Sequence, residues 1–305
     1  MTLDSASLDG RLERALASLR GLAVGDALGS QFFVPVNHPL LGKRALPPGP
    51  WQWTDDTEMA CSVVAVLAAH DHIDQDALAY SFAERHDFDR GYGPAVNRLL
   101  RLVREGGDWR ELAAGLFDGQ GSWGNGAAMR SAPLGAWYAD DPDRAAHQAE
   151  LSAHPTHQHH EAVAGAMAVA AAAALVAAPG GPPGAEALLD GVVALIPVSE
   201  VGAGLRRARD LLDEDASTAA AVLGCGRRTS ALDTVPFALW SAARALGDYE
   251  RAFWTTAQAG GDVDTTCAIA GGVVAAGKFG TPPSEWLEQT ETLPEWVPGG
   301  GGAGA

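Results

Sequence analysis

The chain has 305 residues, 38 acidic and 21 basic, for a formal net charge of -17. An apolar fraction of 47% is enough to fill a real core and excludes wholesale disorder. The acidity argues against nucleic acid as a main partner and against docking on anionic lipid, since both need clustered Lys and Arg.

The N-terminal text MTLDSASLDGRLERAL lacks a basic stretch followed by an apolar one, so no secretory signal is expected. Leu12, Leu16, Leu19 and Leu22 recur at helical spacing in a segment that reaches Ala27. Val34–Val36 is too short for a strand and carries Pro35. Leu46–Pro50 (LPPGP) reads as a rigid loop. Met59–His70 and the stripe Val96, Leu99, Leu100 and Val103 read as further helices, with the Gly-rich loop Gly119–Gly126 after them. Ala162–Ala178 is uncharged and apolar, at the short limit for a membrane span. Ala is weakly hydrophobic and Pro179 follows at once, so the segment reads as a buried core helix. Ala178–Gly184 (APGGPPG) is a loop within one domain, and Ala231–Leu246 and Thr266–Gly277 are helical again. The expectation is an all-α, compact multi-helix fold of about a dozen helices. It forms a single domain over residues 1–298, followed by a flexible Gly-rich tail over 299–305. Three widely spaced cysteines (Cys61, Cys225 and Cys267) cannot form a disulfide framework and suit a reducing, cytoplasmic setting.

Two segments concentrate hard oxygen donors. Thr54-Asp55-Asp56-Thr57-Glu58 follows the Pro-rich loop and opens a helix, where a cap accounts for one or two of these residues but not for paired carboxylates between two threonines. Asp262-Val263-Asp264-Thr265 follows Gly260-Gly261 and opens another helix. Four carboxylates brought together would repel, and divalent cations relieve that repulsion. Oxygen donors select Mg²⁺ or Mn²⁺ over zinc, and two ions would sit roughly 3.5–4 Å apart. Nothing in the spacing proves that the two segments meet.

A third segment, Gly121-Ser122-Trp123-Gly124-Asn125-Gly126-Ala127-Ala128-Met129-Arg130, has three glycines that leave backbone N–H groups bare, with a helix expected just after, an anion-cradling arrangement in which Trp123 could wall a ring. It is not a Walker loop, because no Gly-Lys-Ser/Thr follows. Gly91-Tyr92-Gly93-Pro94 reads as a helix entry. His154, His157, His159 and His160 lack a well-placed further ligand and read as hydrogen-bonding or solvated histidines, with His154, His157 and His160 sharing a face if the stretch is helical.

The chain resembles the ADP-ribosylglycohydrolase family, the relatives of dinitrogenase reductase-activating glycohydrolase. The resemblance rests on Gly21-Leu22-Ala23-Val24-Gly25-Asp26-Ala27-Leu28-Gly29, Thr54-Asp55-Asp56-Thr57, Gly124-Asn125-Gly126-Ala127-Ala128-Met129-Arg130 and Asp262-Val263-Asp264-Thr265, in that order. Arg90-Gly91-Tyr92-Gly93 and Thr156-His157 match weaker motifs. The resemblance implies an all-α fold with a binuclear Mg²⁺ or Mn²⁺ centre on Thr54, Asp55, Asp56, Asp262, Asp264 and Thr265. It implies ADP-ribose contacts at Ser122, Gly124, Asn125, Gly126 and His157, and at Tyr92 and Gly93. The implied reaction is hydrolysis of an N- or O-glycosidic bond to ADP-ribose on a protein or small molecule. A monomer is the default expectation, which no residue pattern decides. Several relatives place a catalytic Glu four residues after Gly-Asp-Ala-Leu-Gly, where this chain has Phe33. Asp55 or Asp56 is then the first candidate for the catalytic acid or base, ahead of Glu58, Asp87 and Asp89. The rival expectation is an ADP-ribose-binding module with little or no turnover. A magnesium-dependent prenyl or terpene enzyme is discounted because its Asp-Asp-x-x-Asp/Glu spacing would need an acid where Met59 stands.

Overall fold

A computed structural model describes residues 5–301, so the expectations for Met1–Asp4 and for residues 302–305 of the Gly-rich tail lie outside the described residues. Seventeen α-helices and four 3-10 turns are joined by loops, with no strand among the described residues, so the fold is all-α as expected. Many of the additional helices are single short turns of four to six residues, too short to show a period in the sequence. Seven helices build the centre: α1 (Ser5–Ser30), α2 (Asp55–His70), α3 (Pro94–Arg104), α4 (Ala132–Trp137), α5 (His160–Ala177), α6 (Ala231–Arg244) and α7 (Val263–Ala275).

The Ala-rich α5 is the core helix that its composition suggested. Ala166, Ala170 and Ala174 belong to one buried cluster with Met59, Leu67 and Trp137, and Ala168, Ala171, Ala172 and Val176 to another with Val235, Leu239 and Ile269. Small side chains on every face allow helices to pack all round it, and it contacts α4, α6 and α7. It is long and apolar enough to cross a membrane by length and composition, but 78% of that window is buried inside the protein. The loop over residues 178–184 leads into a helix that packs back onto α5.

Helices α1 and α7 pack side by side in backbone contact. Gly21, Gly25 and Gly29 recur every fourth residue on α1 and form one stripe along its face. A Cβ on Gly25 would collide with the Cys267 carbonyl, one on Gly21 would lie 2.7 Å from the Gly271 carbonyl oxygen, and one on Gly29 would lie 2.9 Å from the Asp264 Cα. Only hydrogen fits at these three places. The close approach sets Asp26, one residue beyond Gly25, beside the N-terminus of α7.

The C-terminal segment closes on the entry to α2. Trp51 N–H donates to the Gln289 carbonyl at 2.7 Å, and Glu291 N–H to the Trp51 carbonyl at 2.8 Å. Gly300 and Gly301 turn back onto Val297 and Leu293 through backbone bonds of 2.7 and 3.3 Å, so the segment expected to be loose is hydrogen-bonded at its start. The stretch holding His154 to His160 is not one helix: the preceding helix ends at Ala153, His159 caps α5 and His160 begins it.

Replacing Gly25 by Ala overpacks the α1–α7 contact and should lower stability by about 1–3 kcal/mol. Gly10 lies on the same helix, with nothing closer to an added Cβ than the Arg14 Nη1 at 3.8 Å. Gly10→Ala should therefore be neutral or slightly stabilising. Thermal melts of both variants check this, and equal losses would remove the close-packing argument.

Candidate metal and anion-binding site

The two acidic segments, some two hundred residues apart, meet. Thr54 caps α2, its Oγ1 accepting from the Asp56 N–H at 3.4 Å, so the helix starts where a cap residue followed by acids predicts. Asp262 stands at the N-cap of α7. The N-termini of α2 and α7 therefore point at a common centre, and their partial positive charges favour the carboxylates placed there.

Asp26 is the residue that the donor inventory missed. It is fully buried and accepts four hydrogen bonds: Thr54 N–H at 2.9 Å, Thr54 Oγ1–H at 2.8 Å, Thr57 N–H at 3.2 Å and Thr57 Oγ1–H at 2.6 Å. The two threonines that flank Asp55 and Asp56 thus hold the α1 carboxylate, which accounts for their presence. The available signal was an ionisable residue in an otherwise apolar helix face. Carboxylate oxygens of Asp26, Asp56 and Asp264 lie within 4.8 Å of one another. Thr265 Oγ1 donates to Asp56 Oδ1 at 3.5 Å, and Thr265 N–H to Asp264 Oδ1 at 2.7 Å. Asp56 Oδ2 is buried with no hydrogen-bond partner. A buried anionic oxygen without a donor is costly, and a cation bound there would satisfy it. The donor set is all oxygen, so the residues fit a hard divalent cation.

Electrostatics say the same. Burial pushes Asp26 up to about 6, against the hydrogen bonds from Thr57 and Thr54 that hold it down. Burial, then the neighbouring Asp26 charge, pushes Asp55 up to about 8. Asp56 and Asp264 are pushed well above the ordinary carboxylate range by burial and by neighbouring carboxylates, and burial also raises Asp262.

A cleft of about 530 Å³ opens over this cluster. Asp55, Asp56, Asp262, Asp264 and Thr265 form its floor, and Ser122–Gly126 with His157 form one wall. The glycine loop is pinned: Asn125 N–H donates to the Thr229 carbonyl at 3.0 Å, and Ala231 N–H to the Trp123 carbonyl at 3.1 Å. Asn125 Nδ2 donates to Asp262 Oδ2 at 2.7 Å and to Thr234 Oγ1 at 3.0 Å, tying the loop to the acidic floor. Trp123 is 41% exposed and packs against Phe117 with ring centroids 4.7 Å apart, leaving an aromatic surface at the mouth. The helix expected after Arg130 starts at Ala132, but none follows the three glycines directly. A 3-10 turn, Asn125–Ala127, intervenes and α4 starts only at Ala132, because Pro133 suits the first turn of a helix better than its interior. The loop's anion-binding potential therefore rests on its bare amides without an aligned helix dipole. Arg228, which sequence reading did not single out, also lines the cleft and brings a positive charge to it.

Other candidates lie elsewhere. Gly93 lines the cleft, whereas Tyr92 is buried behind it and donates to Glu58 Oε1 at 2.6 Å. Glu58 also accepts from Asp87 N–H at 3.1 Å and does not line the cleft, and neither do Asp87 and Asp89. Arg90 braces this side, stacked 3.5 Å above the Trp53 ring, bidentate to Glu291 at 2.7 and 2.8 Å and donating to the Trp53 carbonyl at 2.9 Å. Phe33 ends a 3-10 turn after α1 and is 50% exposed outside the cleft lining, while its neighbour Phe32 is buried against Phe253 and Trp254. His154, His159 and His160 contact Gln75, Glu161 N–H and the Glu161 carboxylate respectively.

Comparison with known proteins points to one family. The model of the ADP-ribosylglycohydrolase family matches residues 7–299. An uncharacterized protein of Archaeoglobus fulgidus is 32% identical over 290 aligned positions, covering 88% of each chain. Human ADP-ribosylhydrolase ARH3 is 28% identical over 333 aligned positions, covering 93% of this chain and 91% of its own. A solved structure described as an ADP-ribosylglycohydrolase-related protein complex superposes with a TM-score of 0.65 at 27% identity, over 93% of this chain and 94% of the other.

The raised carboxylates give the metal-free protein a pH signature. Their native values lie above the ordinary 3.8, so above that pH the native state holds more protons than the unfolded chain. Stability of EDTA-treated protein should fall as pH rises from about 4 through about 8, with Asp55 contributing to the upper limit. Millimolar Mg²⁺ or Mn²⁺ should raise the melting temperature most at the high-pH end, because a cation bound only to the native state stabilises it and displaces those protons. Melting curves that are flat in pH and indifferent to the metal would count against a buried acidic site.

Proposed function

The chain belongs to the ADP-ribosylglycohydrolase family, and from that membership we propose that it is a metal-dependent hydrolase. It cleaves the glycosidic bond between ADP-ribose and an acceptor, on a protein side chain or a small molecule, and releases ADP-ribose. The observation that carries this reading is the juxtaposition in one cleft of the acidic floor and the pinned glycine loop. One end of the cleft suits a divalent cation and the other an anionic ligand.

Thr54, Asp55, Asp56, Asp262, Asp264 and Thr265 would hold two Mg²⁺ or Mn²⁺ ions, with Asp26 fixing Thr54 from behind. Such ions supply Lewis acidity and a water of lowered pKa at the anomeric carbon. The amides of Ser122–Gly126 and the His157 ring would bind the pyrophosphate, and the Trp123–Phe117 surface would stack a ring. Glycosidic cleavage passes through an oxocarbenium-like transition state, so a carboxylate floor favours the charge that develops on the sugar. Asp55 lines the cleft and is less deeply buried than Asp56. It is therefore the residue that would take or return the proton of the attacking water, with Asp56 oriented by Thr265 beside it.

A second reading is favoured by Phe33. A phenyl ring cannot relay a proton, and a chain lacking that group could hold ADP-ribose without turning it over.

Release of free ADP-ribose from arginine-linked, serine-linked and acetyl-ester substrates, with Mg²⁺ or Mn²⁺ and with EDTA, separates the readings. The hydrolase reading expects metal-dependent release from at least one substrate, reduced about a hundredfold or more by Asp55→Ala or Asp264→Ala. It also expects Phe33→Ala to stay within about twofold of the parent, as for an exposed side chain outside the cleft. ADP-ribose binding without release, together with turnover gained in Phe33→Glu, would establish the binding module instead.

A further inference from the structure

Arg130 is completely buried, yet no carboxylate pairs with it. Its Nη1 donates to the Gly126 carbonyl at 3.0 Å and contacts Met59 Sδ at 3.6 Å. Its Nη2 donates to the Ser152 carbonyl at 2.7 Å and to Thr156 Oγ1 at 3.0 Å. The guanidinium carbon lies 4.6 Å from the centre of the Phe82 ring. A buried cation without a directly paired anion is expensive, and burial draws Arg130 down to about 9 even though Tyr92 and Asp55 act to raise it. Its placement therefore calls for an explanation beyond packing.

The explanation lies one bond further on. Thr156 Oγ1, itself fully buried, stands 2.7 Å from His157 Nδ1. A guanidinium donates and never accepts, so the hydroxyl spends one lone pair on Arg130. Among the described residues the Thr156 hydroxyl proton has one acceptor in reach, the Nδ1 of His157. The opposite arrangement, with Nδ1–H donating to Thr156, would strand that proton in the core at a cost of about 1–3 kcal/mol. Nδ1 therefore accepts, and the imidazole proton belongs on Nε2. The ring's Nε2 edge lies against the glycine loop: a Cβ on Gly124 would come 3.1 Å from Nε2, and one on Gly126 3.0 Å from it. His157 lines the cleft there.

We propose that Arg130 is a positioning residue that acts through Thr156 to lock His157 as the neutral Nε2–H tautomer. The cleft is thereby presented with a fixed hydrogen-bond donor for a phosphate oxygen of the ligand. Burial, with the Arg130 charge adding to it, holds the imidazole down to about 3. His157 is then neither a proton shuttle nor a cation at neutral pH. Its donor is present across the neutral pH range, and the ligand's negative charge meets an N–H dipole beside the loop amides. The identity of the ligand rests on the reading of the cleft as an ADP-ribose site. The tautomer does not.

Two measurements test this. Long-range ¹H–¹⁵N correlation spectra of the ¹⁵N-labelled, ligand-free protein report the tautomer directly. The expected result is a protonated Nε2 and an unprotonated Nδ1 that do not titrate between about pH 5 and 8. A Nδ1–H tautomer, or titration near the usual histidine value, overturns the proposal whatever the protein hydrolyses. Thr156→Val keeps the shape and removes the relay, and leaves Arg130 its bonds to the Gly126 and Ser152 carbonyls. It should release the tautomer lock and weaken ADP-ribose binding about tenfold by calorimetry, the scale of one charge-assisted hydrogen bond, with Thr156→Ser restoring both. A changed tautomer with unchanged affinity would remove the ligand-binding role. An unchanged tautomer in Thr156→Val would remove the relay. If the parent protein binds no ADP-ribose, the reading of the cleft fails while the spectra still decide the tautomer.

Discussion

Helices α1 and α7 touch through their backbones, and the site depends on that contact. Gly21, Gly25 and Gly29 lie on one face of α1, and at each the space a side chain would need is filled by α7. Because the two axes come this close, the α1 carboxylate at Asp26 falls within a few ångströms of Asp264. Larger residues along the stripe would hold the axes at an ordinary helix–helix distance, beyond reach of a shared ligand. An acidic cluster assembled from both ends of a chain thus rests on three missing side chains.

Close packing of carboxylates creates the opposite problem. Buried acids of like charge resist ionisation, and most of those here are raised. Part of the repulsion is offset locally: Asp26 takes four hydrogen bonds from Thr54 and Thr57, Asp262 one from Asn125, and the α2 and α7 N-termini face the cluster. Asp56 Oδ2 is left over. The same oxygen that destabilises a metal-free protein would hold a cation, so the cost to stability and the capacity to bind are one feature. Such unsatisfied groups belong at functional sites, where the surrounding structure over-determines them.

The remaining braces tie distant segments to the cleft without lining it. Arg90 joins the C-terminal segment at Glu291 to the carbonyl and ring of Trp53, immediately before Thr54. Tyr92 and Glu58 form a second bond behind the same wall. Arg130 holds the Gly126 carbonyl and Thr156 on the other side. These arginines make planar, multidentate contacts that a lysine could not reproduce. In a chain of net charge -17, positive groups are few, and several of them sit where they fix the cleft.

Local sequence determined the long helices and several of their ends. The leucine spacing of α1, the Thr54 cap and acids of α2 and the alanine run of α5 each express a local preference or a one-dimensional pattern. So do the oxygen-rich and glycine-rich segments that compose the cleft, whose residue types already named a hard cation and an anion. What only the tertiary structure decided was adjacency. Nothing in the text shows that residues 54–58 meet 262–265, or that the two threonines serve Asp26. The same holds for Tyr92, which turns away toward Glu58, and for the donor chain that runs from Arg130 to His157. Those facts depend on which helix faces pack together and how closely, and that is set by side-chain volume across a contact. A single strand of sequence carries the volumes but not the pairing.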